Sequence, residues 1–306
     1  MSAIAAEKTL ARRTVERGSN GERTKDLLFR GALLLCLLIA VAFLAALAIT
    51  TVSDGAGRLS TGFVTGEPSR LRTADFGIRP ALIGTLYLMA LVALFIVPVG
   101  VASAVYLEEY ADGKKRINRV IETNIQNLAS VPSVVYGILG LAFIVRGPVD
   151  VFGLGVGQPT LLAGALTLGL LVLPVVIIVS REAIRAVPPS IREGSLALGA
   201  TQWQTIWKQV LPGALPGIST GVILALSRAI GETAPLVLVG AVANLRFNPE
   251  IDGPFSALPA LILSAVGEPK PEFQSIAAAA IIVLLVILLA MNSVAIVLRN
   301  RYETKW

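Results

Sequence analysis

Long apolar runs without charge alternate with short polar stretches rich in glycine and proline along this chain. Residues 31–52 form the first run, and a bilayer crossing takes about 20 such residues in a helix. A second run covers 80–107 and contains Pro98. The third is shorter, 131–145, and follows a polar stretch of helical character at 122–130. A fourth covers 159–179 with Pro174 inside, a fifth 215–243 with Arg228 and Glu232 inside, and a sixth 276–298. The pattern predicts an all-α polytopic membrane protein with six transmembrane helices. Proline within such helices is tolerated where neighbouring helices re-satisfy the freed carbonyls. The longest connections, 53–79 and 244–275, are too short for an independent soluble core, and no strong internal repeat emerges.

The flanks and the charge set the orientation. Residues 1–30 are polar and of mixed charge, and they read as a cytoplasmic tail. A signal peptide fits poorly, because the charged region and the apolar run after it are both too long and no small-residue cleavage site precedes a mature domain. With the N-terminus inside, 18 of the 26 Lys and Arg residues fall on the cytoplasmic side, seven lie outside, and Arg228 sits within a span. The positive-inside rule favours that arrangement, with both termini cytoplasmic. The main dissent is the four arginines between Arg58 and Arg79.

Composition narrows the chemistry. Of 306 residues, 55% are hydrophobic and 15% charged, and mean hydropathy is +0.76. Soluble domains carry about 25% charged residues. There is no His and a single Cys, Cys36. That excludes His-based metal sites, cysteine clusters, Ser-His-Asp and Cys-His catalysis, and an internal disulfide. The net charge of +6 belongs with the cytoplasmic cations, and no aromatic-studded basic patch supports nucleic-acid binding.

Two stretches carry the functional signal. The first is the connection 181–212. Pro188-Pro189 breaks the preceding helix, and Ser190 with Glu193 three residues later predicts a capping box. The helix 191–198 should end at Gly199, in the C′ position. A second amphipathic helix, 203–210, is expected to stop at Pro212. A capped helix held between two spans suits docking into another protein; the plainer alternative is an ordinary amphipathic loop. The second stretch is Ser227-Arg-Ala-Ile-Gly-Glu-Thr-Ala-Pro235. An Arg at a bilayer centre costs about 2.5–3.5 kcal/mol on the insertion scale. Arg228 and Glu232 are four residues apart, so on one helix they share a face and can pair. Thr220, Leu224, Ser227, Gly231 and Pro235 fall on or beside that stripe. The pair either locks two helices together, or Arg228 meets a crossing anion while Glu232 holds the guanidinium. A planar, permanently charged fork suits phosphate-like oxyanions.

Other features are weaker. Asn124, Gln126, Asn127, Ser130, Ser133 and Tyr136 at the third span read as hydrogen-bonding between helices sooner than as path-lining. Gly153, Gly155 and Gly157 form a turn with no preceding strand, so a dinucleotide loop is excluded. Trp203 and Trp207 read as interface anchors, and Cys36 as an inert thiol.

The loop resembles a family motif. Glu193-Gly194-Ser195, then Gly199, then Leu211-Pro212 is similar to the pattern E-A-A-x3-G-x9-I-x-L-P of ABC importer permeases. Gly194 and Ser195 replace the alanines and stay small; Gln209 stands at the apolar position. The string S-R-A-I-G-E-T-A-P-L from Ser227 resembles the PstA-type permeases of phosphate-specific ABC importers, as do Val131–Gly137 and Val187–Trp203. PstC-type permeases share several of these strings. The resemblance covers roughly 80–298. It implies a type I importer permease of the MetI-like class in a bacterial inner membrane. Residues 1–30 and 299–306 would be tails, 31–79 an added helix and outer loop, and 80–298 the transmembrane domain with its coupling loop at 181–212. Glu193, Gly194, Ser195, Gly199, Leu211 and Pro212 would serve ATPase coupling. Ser227, Arg228, Glu232 and Thr233 would lie on the substrate path. The implied partners are a PstC-type permease, an ABC ATPase dimer and an extracytoplasmic phosphate-binding protein, with no cofactor or metal. The chain lacks a G-x4-G-K-[ST] loop, so ATP hydrolysis is expected elsewhere. A sulfate or molybdate permease of the same build, and an ion-coupled anion carrier, are the alternatives.

Overall fold

The computed structural model describes residues 20–69, 72–112, 114–147, 158–243 and 245–302. Two compact units divide the chain after Ser53. The first contains most of α1 (Asn20–Gly55), whose residues 25–50 are exposed on every side. From Gly31 to Val52 it carries no charge, and a helix that is apolar all round is suited to lipid or to another apolar surface. Cys36 lies on it, exposed.

The second unit is also helical. Its described elements are α2 (Thr61–Thr65), α3 (Arg79–Val105), α4 (Arg116–Ala129), α5 (Ser133–Leu139), α6 (Leu161–Arg185), α7 (Pro189–Ala197), α8 (Gln202–Thr205), α9 (Leu211–Ala229), α10 (Ala234–Leu238), α11 (Leu258–Val266) and α12 (Pro271–Tyr302). Helix α6 is the spine. Leu161, Leu168, Val172, Val176 and Ile184 along it are fully buried. Small residues let α3 and α9 close on it: a Cβ at Gly100 would lie 2.6 Å from Val176 Cγ1, and one at Gly221 would lie 2.4 Å from Val179 Cγ1. Close approach of this kind replaces the hydrophobic drive that lipid does not supply. A second apolar cluster joins Phe63, Phe76 and Ile78 to α11 and α12, with Phe76 edge-on to Phe273 at 6.0 Å.

Among the described residues, five helices are long and apolar enough to cross a membrane, or six if a bent pair counts as one span. The bent pair covers the stretch expected as the third span. Helix α4 ends at Ala129, and the chain turns by 106° before α5 and its π-helical continuation Gly140–Val145. Pro132 has no N–H to continue the ladder. The turn is tightened by Val131 N–H to Leu128 O at 3.2 Å, and the Tyr136 hydroxyl donates to the same carbonyl at 2.9 Å. Of the polar side chains expected to bond between helices, Tyr136 does so, from α5 to α4, while Asn124 donates to Val120 O and Ser130 to Asn127 O within their own segment. The glycine turn at 153–157 and the tail to residue 19 lie outside the described residues.

The fifth span also departs from expectation. It is not one helix over 215–243. A continuous helix runs Gln202–Ala229, breaks, and restarts as α10. Pro212 does not end the earlier segment. The π-helical turn Ile206–Val210 pairs Leu211 N–H with Ile206 O, so the ladder passes a residue that has no donor. At the other end Gly231 and Pro235 flank the break, and Pro235 takes an early position of α10, where its missing N–H is harmless.

Candidate functional site

The connection after α6 builds a presented helix. Helix α7 begins two residues earlier than the capping-box reading. Its N-cap is Pro188, and no side chain caps it, because Pro189 at the first turn already has the helical φ. The capping box lies instead at Thr201 and Gln204: Gln204 N–H donates to Thr201 Oγ1 at 3.2 Å, and Thr201 N–H donates to Gln204 Oε1 at 2.9 Å. Gly199 does take the C′ position, with φ +87°. Its N–H bonds Leu196 O at 2.9 Å and Ala200 N–H bonds Ser195 O at 3.2 Å, which closes a Schellman turn.

One face of α7 is held and the other is open. Ile191 packs on the apolar cluster of Ala104, Ile184, Val187, Val210, Ala214 and Ile218. Arg192 donates to Glu109 Oε1 from Nε at 3.1 Å and from Nη2 at 2.9 Å. It also donates to Ile184 O at 2.8 Å and Val187 O at 2.6 Å. The Ser195 and Thr205 hydroxyls share a hydrogen bond of 2.9 Å. Glu193, Gly194, Leu196 and Leu198 face outward, and Leu198 is 91% exposed. Leu211 and Pro212 sit away from this open face, at the root of α9, where they line an apolar groove of about 940 Å³ between α3 and α9. Trp203 and Trp207 stack edge-on at 5.3 Å at the same groove, both exposed.

Acidic residues that sequence reasoning passed over organise this end. The turn Tyr106–Tyr110 at the end of α3 carries Glu108 and Glu109 side by side. Glu108 pairs with Arg181 at 3.3 Å and Arg185 at 3.0 Å, and Arg181 reaches Glu122 of α4 at 3.0 Å. Gln202 Nε2 donates to Glu109 O at 2.6 Å. The positive-inside count treated these arginines as loop charge. The signal that could have found the cluster was a Glu-Glu pair at the end of an apolar run.

The second candidate region lies at the break after α9. Arg228 is in the last turn, and Glu232 lies past the helix end, not on the same helix face as expected. Gly231 N–H to Arg228 O and Glu232 N–H to Ala229 O, both 3.2 Å, fold the chain back so that the two side chains still meet. Arg228 Nε to Glu232 Oε1 is 3.4 Å. The Arg228 side chain is 50% exposed and Glu232 18%. Among the described residues, Arg228 Nη1 and Nη2 make no hydrogen bond. Ser227 faces a different neighbour. Its hydroxyl bridges Ile223 O at 2.8 Å and Asn292 Oδ1 of α12 at 2.6 Å. Thr220 accepts from Arg299 at 3.3 Å, so the polar stripe of α9 docks on α12 and leaves Arg228 beside it. Thr233 flanks Glu232 at the break, partly exposed, its hydroxyl 3.5 Å from Gly231 O. The break is seated on the other broken span: a Cβ at Gly137 of α5 would lie 2.8 Å from Pro235 Cα.

Residues 96–303 match the family described as binding-protein-dependent transport system inner membrane component. The probable ABC transporter permease protein YqgI of Bacillus subtilis is 36% identical over 231 residues, 76% of each chain. The phosphate transport system permease protein PstA 1 of Mycobacterium tuberculosis is 38% identical over 195 residues, 63% of this chain and 61% of that one. Among solved structures, a bacterial alginate ABC transporter bound to its periplasmic protein superposes with a TM-score of 0.66 at 19% identity, over 94% of this chain and 99% of that chain, which speaks to the fold. Together with the broken spans and the presented loop helix, these likenesses place the chain in the family of binding-protein-dependent transport system inner membrane components, the permease subunits of ABC importers.

Proposed function

We propose that this permease carries inorganic phosphate inward, with the Arg228 break on its path, α7 as the seat of an ABC ATPase, and both termini in the cytoplasm. A second permease of the PstC type completes the path, and an extracytoplasmic binding protein delivers the anion. The observation that carries the anion reading is Arg228 itself: a guanidinium held by one contact of 3.4 Å, with both terminal nitrogens unbonded among the described residues. A fork in that state presents two parallel donors to an oxyanion. Glu232 orients the fork and offsets its charge, so the site passes an anion without trapping it. Thr233 adds a hydroxyl at the same break, and Ser227 fixes α9 against α12 one residue away. The relative named for phosphate transport supports the choice of anion. The open face of α7, with Glu193, Gly194 and Leu198 outward over a core-anchored Ile191, supports the docking role, and Gly199 sets the turn that presents it.

The test is uptake of labelled phosphate by the complex reconstituted in proteoliposomes with its ATPase, second permease and binding protein. Uptake is expected to require internal ATP and to persist with a protonophore. Arg228→Gln should reduce it at least 100-fold while the complex still assembles. Wild-type uptake by that variant removes Arg228 from the path. Preferential uptake of sulfate in the same vesicles reassigns the anion.

A further inference from the structure

The side chains that hold α7 differ in kind. Ile191 makes apolar contact, which has no preferred direction and lets surfaces slide. Ser195 makes one hydroxyl contact with Thr205. Arg192 spans three helix ends at once: its own, the carbonyls of Ile184 and Val187 at the end of α6, and the carboxylate of Glu109 at the end of α3. Glu109 is only 10% exposed and Arg192 22%, so little water loosens the pair. The Glu109 carbonyl also receives Gln202, the first residue of the helix that runs unbroken to Ala229. That helix has 28 residues, about 40 Å at the usual rise, and Arg228 lies in its last turn. Glu108, next in sequence, grips Arg181 and Arg185 of α6.

We propose that the Arg192–Glu109 pair is the joint that passes displacement of α7 to α3, α6 and the Arg228 helix, which makes both residues positioning residues for transport. The proposal rests on the ATPase-docking reading of α7 and says how motion leaves that helix. A planar guanidinium with donors on three sides fixes both position and tilt. A lysine ammonium on a flexible stem cannot hold a carboxylate and two separate carbonyls in one geometry. Tilting α7 then drags the end of α3 with it, and the two helices that line the apolar groove move as a unit.

The experiment uses the reconstituted complex in a Cys36→Ser background and reads two quantities. One is phosphate transported per ATP hydrolysed. The other is cross-linking of a Leu198→Cys variant to the ATPase. With Arg192→Met, cross-linking should stay within twofold and ATP hydrolysis should continue, while phosphate moved per ATP falls at least tenfold. Arg192→Lys should behave nearly as badly. Glu109→Gln, which keeps an oxygen acceptor and the side-chain volume, should fall three- to tenfold. Arg192→Met combined with Glu109→Gln should be no worse than the worse single variant, as expected of residues acting as one unit. An unchanged ratio in Arg192→Met overturns the joint. So does loss of cross-linking or of assembly in both Arg192→Met and Glu109→Gln, which would make the pair a device for folding α7 alone. If Leu198→Cys fails to cross-link with Arg192 intact, the docking reading falls first and the joint with it.

Discussion

The two ends of the Gln202–Ala229 helix handle arginine in opposite ways. At the α7 end, Arg181 is 13% exposed and Arg192 22%, and each has several short contacts to carboxylates or carbonyls. At the far end, Arg228 is 50% exposed and keeps one long contact to Glu232. A saturated guanidinium fixes geometry, and removing one partner of a buried pair leaves a costly charge. An unsaturated one holds donors in reserve. Charge is therefore consumed where helices must move together and left available where a ligand must pass. That contrast explains why the total of Arg and Lys says little, and why the bonding state of each guanidinium separates structure from transport.

The contrast breaks most sharply at Arg228, where the 100-fold loss of uptake without loss of assembly should appear. Next is the open face of α7. Glu193→Lys should lower retention of the ATPase in a pull-down at least tenfold with α7 still folded, because Glu193 makes no hydrogen bond or ion pair within the described residues; unchanged retention would take the docking face away. A smaller effect belongs to the turn that presents this face. Gly199 has φ +87°, and a non-glycine residue there costs about 1–2 kcal/mol. Gly199→Ala should lower the unfolding midpoint by a few degrees, read by differential scanning fluorimetry in detergent, and reduce ATPase retention less than Glu193→Lys does. Nothing within 4 Å would meet the new Cβ, so a larger loss would show that the ATPase itself contacts this position. The mildest change is Ser227→Ala. It removes the bond to Asn292 and should cost about 1 kcal/mol, with uptake reduced less than tenfold. A drop as deep as that of Arg228→Gln would place Ser227 on the anion's path and not beside it.

Much of this was legible in the residues. The apolar runs give the first, second, fourth and sixth spans, Gly199 gives the end of α7, and the four-residue spacing of Arg228 and Glu232 gives their encounter. The encounter survives for a different reason, since the helix stops at Ala229 and two turns bring Glu232 back. The start of α7 was misplaced because a proline at the first helical position outranks a serine cap. Pro212 was misread as a stop because a π-helical turn absorbs it. Glu108 and Glu109 were invisible as a hub because their partners lie 73 to 93 residues further along the chain.

What the sequence alone determined is whatever depends on local chain chemistry: which segments lipid accepts, where prolines and glycines interrupt them, and which connection is too ordered to be a linker. Tertiary structure decided which arginines are satisfied. A guanidinium's role follows from how many acceptors the fold brings within about 3 Å of it, and those acceptors come from other helices. The same residue type is a rivet at Arg192 and an open hand at Arg228 because packing against α3 and α6 surrounds one with oxygens, while the break after α9 leaves the other with a single carboxylate.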